Sequence, residues 1–93
     1  MAQLGNWNID EIKSVNLPQK AASAFTAVTG GLMGADYMPV LYVGTQQVNG
    51  TNYCILALQT LMIPDSEKRL VKMIINVDIK GIASLVSISQ VGL

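Results

Sequence analysis

The sequence predicts an α+β fold in which one helix packs across a curved antiparallel sheet of four to five strands. Three observations support this prediction. Apolar residues recur at helical spacing in the first third of the chain, the period changes to two near residue 38, and the later strand-like runs are separated only by short polar turns. Since 93 residues leave no room for two cores, we expect a single domain over residues 1–93.

In the segment before the helix, the spacing of apolar residues does not identify one type of secondary structure. Ile9, Ile12 and Val15 stand between charged or polar residues, which fits either a short first strand or an ordered lead-in. The choice between the two decides whether the sheet has four or five strands. Trp7 is the only tryptophan, and an aromatic residue of this size near a terminus usually covers one end of a core.

A helix is predicted behind Asn16-Leu17-Pro18. Asparagine is a favoured N-cap, and proline is tolerated in the first helical turn, where its missing N–H costs nothing. Gly30-Gly31 predicts the end of the helix, because glycine readily takes the left-handed conformation at a helix C-terminus. The apolar stripe that would face the sheet contains Leu17, Ala21, Ala24, Phe25, Val28 and Leu32.

The first two strands are predicted over residues 38–45 and 51–63, joined by a hairpin. Asn49-Gly50 predicts the turn, since both residues tolerate the positive φ that two-residue primed turns require. Both faces of the second strand are mostly apolar, which is typical of a central strand with one face under the helix.

The last two strands follow a polar turn that begins at Pro64. Residues 69–80 give the clearest alternation, and the face opposite their apolar one is mixed and can meet water. Gly81 marks the next turn, and residues 84–91 form the last strand. The apolar face of the 69–80 strand is built from Val71, Met73, Ile75, Val77 and Ile79.

The composition argues against several classes of function. Six Lys and Arg balance six Asp and Glu without a basic cluster, so we expect no nucleic-acid partner. The apolar runs are far shorter than the roughly 20 residues of a membrane span, so we expect a soluble protein with no membrane partner. Histidine is absent and cysteine occurs once, which excludes a Ser-His-Asp triad, a Cys-His pair and a zinc site of ordinary spacing. We expect no enzyme, no metal and no cofactor.

The single cysteine, Cys54, cannot form an internal disulfide, which fits a reducing compartment. We expect it to be buried and inert within the second strand. Residues 1–8 lack the charged head and apolar run of a signal peptide. A cytoplasmic protein and a secreted mature form without its signal peptide both remain open.

The residues around the predicted hairpin form a motif that a turn does not require. Gln46, Val48 and Gly50 make Gln-x-Val-x-Gly, and Thr-Asn-Tyr follows at once. The extended motif resembles the first inhibitory hairpin of the cystatins, the protein inhibitors of papain-like cysteine proteases. The order of elements is similar as well, because in cystatins a sheet wraps around a single helix.

The resemblance implies a reversible, non-covalent inhibitor whose partner is a papain-like cysteine protease. Cystatins present a wedge made of an N-terminal segment around a glycine, the Gln-x-Val-x-Gly hairpin, and a second hairpin that often carries Pro-Trp. Carried over to this chain, the protease-binding residues are Gly5 in the N-terminal segment, Gln46, Gln47, Val48, Asn49 and Gly50 in the first hairpin, and Gly81 and Ile82 in the second.

This sequence departs from the cystatin pattern at the second hairpin, which has neither Pro nor Trp. If a central Trp contact is worth ~2–4 kcal/mol, an aliphatic Ile82 in its place predicts micromolar rather than nanomolar inhibition. Gly5 fits an N-terminal contact and a flexible terminus equally well. The alternative function is a cystatin-fold binding module without protease-inhibitory activity, since folds are reused. Straightening the 46–50 hairpin would merge two strands and allow a domain-swapped homodimer.

Overall fold

The computed structural model describes residues 7–9, 11–65 and 67–93 of the chain. Its strands pair antiparallel in the order in which they follow one another along the chain, and the helix packs on one face of this open sheet. The predicted α+β fold is confirmed. The elements of the described residues are α1 (Gln19–Thr29), β1 (Ala35–Val48), β2 (Gly50–Leu61), β3 (Lys68–Val77) and β4 (Ala83–Gln90).

Helix α1 begins later than the sequence predicts. Pro18 occupies the N-cap position with ψ 150°, and its carbonyl accepts a 2.8 Å hydrogen bond from the backbone N–H of Ala22. Because proline disfavours the helical conformation of the residue before it, Leu17 lies outside the helix. The prediction that Asn16 caps the helix is therefore wrong.

The end of α1 also differs from the prediction. Gly30 has φ −62° and donates to the carbonyl of Thr26, so it continues the right-handed helical geometry. The N–H of Gly31 then donates to the carbonyl of Val28, and the first residue after the helix with positive φ is Gly34. The helix thus ends in tightened turns rather than in a left-handed glycine cap, because the carbonyls of its last turn find partners without one.

The core lies between α1 and the two central strands. Ala24 and Phe25 are buried on the helix, and the small alanines let it approach the sheet closely. Ile55, Met73 and Ile75 are the largest fully buried side chains, so the apolar faces predicted for β2 and β3 are confirmed in the core. The core cluster contains Ala21, Ala24, Phe25, Val28, Tyr53, Ile55, Ala57, Val71, Met73 and Ile75.

The described lead-in is irregular and adds no strand to the sheet. Its backbone contact with β1 is a 3.0 Å hydrogen bond from the N–H of Val15 to the carbonyl of Pro39. Trp7 is 72% exposed, so the prediction that it covers the core is wrong. Leu17 and Leu32 pack against the core instead. Four strands, not five, form the sheet within the described part of the chain.

Cys54 is half-buried rather than buried, and its thiol is free. It alternates with the core residues Tyr53 and Ile55 and lies opposite Ile74 of β3. Its side chain therefore belongs to the face of the sheet that does not carry the helix. As for membrane insertion, none of the helices in the described ranges combines the length and apolar character of a membrane span.

Candidate functional site

The β1–β2 hairpin ends in a turn that differs from the predicted one. Gln47 lies opposite Thr51 and Val48 opposite Gly50, which leaves Asn49 alone at the tip. Gly50 has φ 97°, whereas Asn49 is not among the described residues with positive φ. In a two-residue turn formed by Asn49 and Gly50, Val48 would lie opposite Thr51. The observed pairs differ, so that prediction is wrong. A glycine with positive φ at the last loop position is the geometry of a three-residue hairpin loop, here Val48, Asn49 and Gly50.

Polar side chains below this tip bond to one another across three strands. The Gln47 Oε1 atom accepts a 3.0 Å hydrogen bond from the Thr51 hydroxyl, and Gln46 Oε1 accepts one of 3.1 Å from Asn52 Nδ2. Asn52 Oδ1 in turn accepts a 3.0 Å hydrogen bond from Asn76 Nδ2 on β3. The glutamines of the motif therefore hold the hairpin in place.

The β3–β4 hairpin is organised by one carboxylate. Asp78 Oδ1 accepts hydrogen bonds from the backbone N–H groups of Lys80 and Ile82, at 2.8 and 2.9 Å. The N–H of Gly81, at φ 86°, bonds to the Asp78 carbonyl at 2.9 Å. The N–H of Asp78 still donates to the carbonyl of Ile82 across the hairpin at 3.0 Å. Beyond that bond the carboxylate supplies the partners that a strand ladder would, so β3 stops at Val77. Ile79, predicted on the apolar face of β3, lies in the turn instead.

The two hairpins lie side by side at one end of the sheet. Thr51 pairs with Val77 in the β2–β3 register. A Cβ atom added to Gly50 would lie 2.9 Å from the Cα atom of Asp78 and still closer to the carbonyl oxygen of Val77. The backbone of the first hairpin thus packs directly on the base of the second. We call residues 46–52 and 78–82 together the paired hairpins.

Apolar side chains project from both members of the paired hairpins. Val48 is 47% exposed, Ile82 62% and Ile79 82%. Sequence reasoning included Val48 and Ile82 but missed Ile79. The signal for it was present, because aspartate at the first and glycine at the fourth position, here Asp78 and Gly81, are typical of a type I turn. The paired hairpins therefore carry three exposed aliphatic side chains.

The chemistry of the paired hairpins suits binding. They present backbone groups and aliphatic side chains, and one carboxylate oxygen of Asp78, Oδ1, accepts hydrogen bonds from two backbone N–H groups. Beside them, a groove of about 410 Å³ runs between α1 and the second hairpin, and of the described residues that line it Lys20 is the one that carries a charge. Across the described ranges, no group of His, Cys, Asp and Glu could hold a metal ion.

The predicted site residues are brought together with one exception. Gln46, Gln47, Val48, Asn49 and Gly50 form the first of the paired hairpins, and Gly81 and Ile82 belong to the second. Gly5 lies outside the described residues.

The chain matches no protein-family model, and neither the curated proteins nor the solved structures contain a match to it. Any assignment of function therefore depends on the motif and on the geometry of the paired hairpins.

Proposed function

We propose that the protein is a cystatin-like, reversible and non-covalent inhibitor of papain-like cysteine proteases, and that the paired hairpins are the wedge that enters the protease cleft. One observation carries the proposal: the packing of Gly50 on Val77 and Asp78 joins the Gln-x-Val-x-Gly loop and the second loop into one continuous edge. A wedge needs such an edge, because two separate loops could not fill one narrow cleft together.

Rigidity favours this role. The first hairpin is fixed by side-chain hydrogen bonds to its own strands, and the second by the carboxylate of Asp78. Loops that are already ordered lose little conformational entropy when they dock. Glycine at position 50 also keeps the edge narrow, because a residue with a side chain could not pack this closely on the backbone of Val77 and Asp78. The proposed mechanism therefore requires no catalytic side chain in the inhibitor.

The exposed aliphatic side chains supply the proposed contact energy. Val48 would fill the cleft from the first hairpin, and Ile79 and Ile82 from the second. Full burial of one such side chain is worth ~1.5–3 kcal/mol. Ile79 adds apolar area where the Pro-Trp of cystatins is missing, although two aliphatic side chains do not reproduce the shape of an indole. We expect inhibition in the micromolar range.

The test is a titration of papain with the wild type, Val48→Asp and Val43→Asp. Val43 lies on the same strand as Val48, away from the tip, and is 56% exposed, so it is a matched control. An aspartate at position 48 would be desolvated in the cleft without a partner, and we expect it to weaken inhibition about 100-fold. Val43→Asp should inhibit like the wild type. Papain with its catalytic thiol blocked by a small group should still bind the wild type.

Two results would argue against the proposal. Equal weakening by both substitutions would show that the hairpin tip is not the centre of the contact. No inhibition by the wild type at high micromolar concentration, with an unchanged circular dichroism spectrum, would favour the alternative of a cystatin-fold binding module that recognises another partner.

A further inference from the structure

The two edges of the sheet differ in how well they are protected. Strand β1 forms one edge and contains Pro39, which has no N–H to offer. Its pairing with β2 is shifted twice, between Pro39 and Leu41 and between Tyr42 and Gly44. The lead-in also covers it through the hydrogen bond from Val15 to Pro39. Proline, bulges and a covering segment are the usual means by which a protein blocks pairing at a sheet edge.

Strand β4 forms the other edge and has almost none of these features. Its sequence, ASLVSISQ, contains no charged residue and no proline. Its pairing with β3 is shifted once, because Ile74 lies opposite Ser87 whereas Ile75 lies opposite Leu85. Val86 and Ile88 are exposed on it, and no strand of the described residues lies beyond it. The outward-facing N–H and C=O groups of β4 are therefore a template for one more strand.

We propose that β4 pairs antiparallel with β4 of a second copy of this chain, which joins the two four-stranded sheets into one. Charge favours this occupant. A strand that pairs with itself about a two-fold axis brings like residues together, which is tolerated only where they do not repel each other. β4 is uncharged, and the whole chain has a formal net charge of zero, so neither local nor long-range repulsion opposes the contact.

The direction of β4 fixes the arrangement of the dimer. The second of the paired hairpins comes immediately before β4 in the chain. Antiparallel pairing reverses the second copy, so its paired hairpins lie at the opposite end of the joined sheet. Both sets stay accessible, and dimer formation leaves the tips of both copies uncovered.

Sedimentation equilibrium over a range of concentrations tests this contact with a charge-swap pair. Ser87 lies in the middle of β4 and is exposed, so Ser87→Lys or Ser87→Glu places like charges close together at the dimer axis. We expect each variant alone to raise the dimer dissociation constant about 30-fold or more. An equimolar mixture of the two should restore dimers, a result that a misfolded variant could not give. Alternate amides of β4 should also exchange more slowly in the wild-type dimer than in the monomer.

Leu41→Lys is the control variant, because Leu41 is exposed on the distant strand β1. It should leave the dissociation constant unchanged. A wild type that stays monomeric up to near-millimolar concentration would overturn the proposal. A dimer that survives Ser87→Lys would overturn it in favour of hairpin exchange. A dimer that Leu41→Lys breaks apart would overturn it in favour of contact through the sheet face.

Discussion

The two hairpins at one end of the sheet reach similar shapes by different means. Each contains a positive-φ glycine, Gly50 in the first and Gly81 in the second. The second hairpin is organised from within, since both side-chain hydrogen bonds of its turn end on Asp78. The first has internal bonds at Gln46 and Gln47 as well, but it is also held from outside, by Asn76 through Asn52 and by the close packing of Gly50 on the base of the second.

This difference makes the dependence between the hairpins one-sided. Residues 78–82 supply their own turn contacts, so the second hairpin can form without the first. The first takes its position from the backbone of Val77 and Asp78, so damage to that surface should displace Gly50 and the Val48 side chain with it.

Gly50→Ala should have the largest effect on stability. An alanine at φ 97° is strained by ~1–2 kcal/mol, and its Cβ atom would overlap the backbone of Val77 and Asp78. Overpacking of this kind adds ~1–3 kcal/mol. We expect the free energy of unfolding in urea to fall by about 3 kcal/mol.

The matched control is Gly81→Ala. Gly81 also has positive φ, at 86°, but no atom lies within 4 Å of a Cβ atom placed there. Only the backbone strain remains, so we expect a loss of about 1 kcal/mol. Equal losses for the two variants would contradict the claim that Gly50 serves as the packing surface between the hairpins.

Asp78→Ala should have an intermediate effect. The substitution removes the acceptor for the N–H groups of Lys80 and Ile82, which water replaces in part because the turn is exposed. We expect unfolding to become easier by about 1.5 kcal/mol and the amide protons of Lys80 and Ile82 to exchange faster. Asp78→Asn keeps a carbonyl acceptor at the same position and should cost less than half as much. Unchanged amide exchange in the alanine variant would refute the role given to the carboxylate.

The sequence predicted the fold well where burial controls the residue pattern. Residues such as Ile55, Met73 and Ile75 alternate because one face of each central strand is in the core. The predictions failed at the ends of elements, where local competition decides. The proline at position 18 delays the helix, and the side chain of Asp78 ends β3 before Ile79, although the apolar alternation continues through that residue.

The candidate site was predictable only in part. The residues of the first hairpin were found because Gln46 to Gly50 form a contiguous motif. The contact between Gly50 and Asp78 depends on the register of β2 against β3, which no local pattern specifies. Trp7 illustrates the same limit, since its exposure depends on the packing of the whole chain, in which Leu17 and Leu32 contact the core instead.

The hydrogen bonds between the side-chain amides of Gln46, Asn52 and Asn76 should contribute least to stability, and they offer the most direct test of coupling between the hairpins. Asn52 donates to Gln46 and accepts from Asn76, which lies on the strand that leads to Asp78. Asn52→Ala should cost about 1 kcal/mol and Asn76→Ala about half as much. A double-mutant cycle of these two should give a coupling energy of about 0.5 kcal/mol in urea unfolding.

Thr51→Val is a control for the same cycle, because it removes one exposed hydroxyl bond to Gln47 within the first hairpin and keeps the branched shape. We expect it to show no coupling to Asn76→Ala. A coupling energy of zero between Asn52 and Asn76 would mean that only the packing of Gly50 and the backbone pairing of Thr51 with Val77 tie the first hairpin to the second. In that case Gly50→Ala should loosen the contact between the hairpins more than any substitution in the Asn52–Asn76 pair, and inhibition of papain by that variant should fall further than it does for Asn52→Ala.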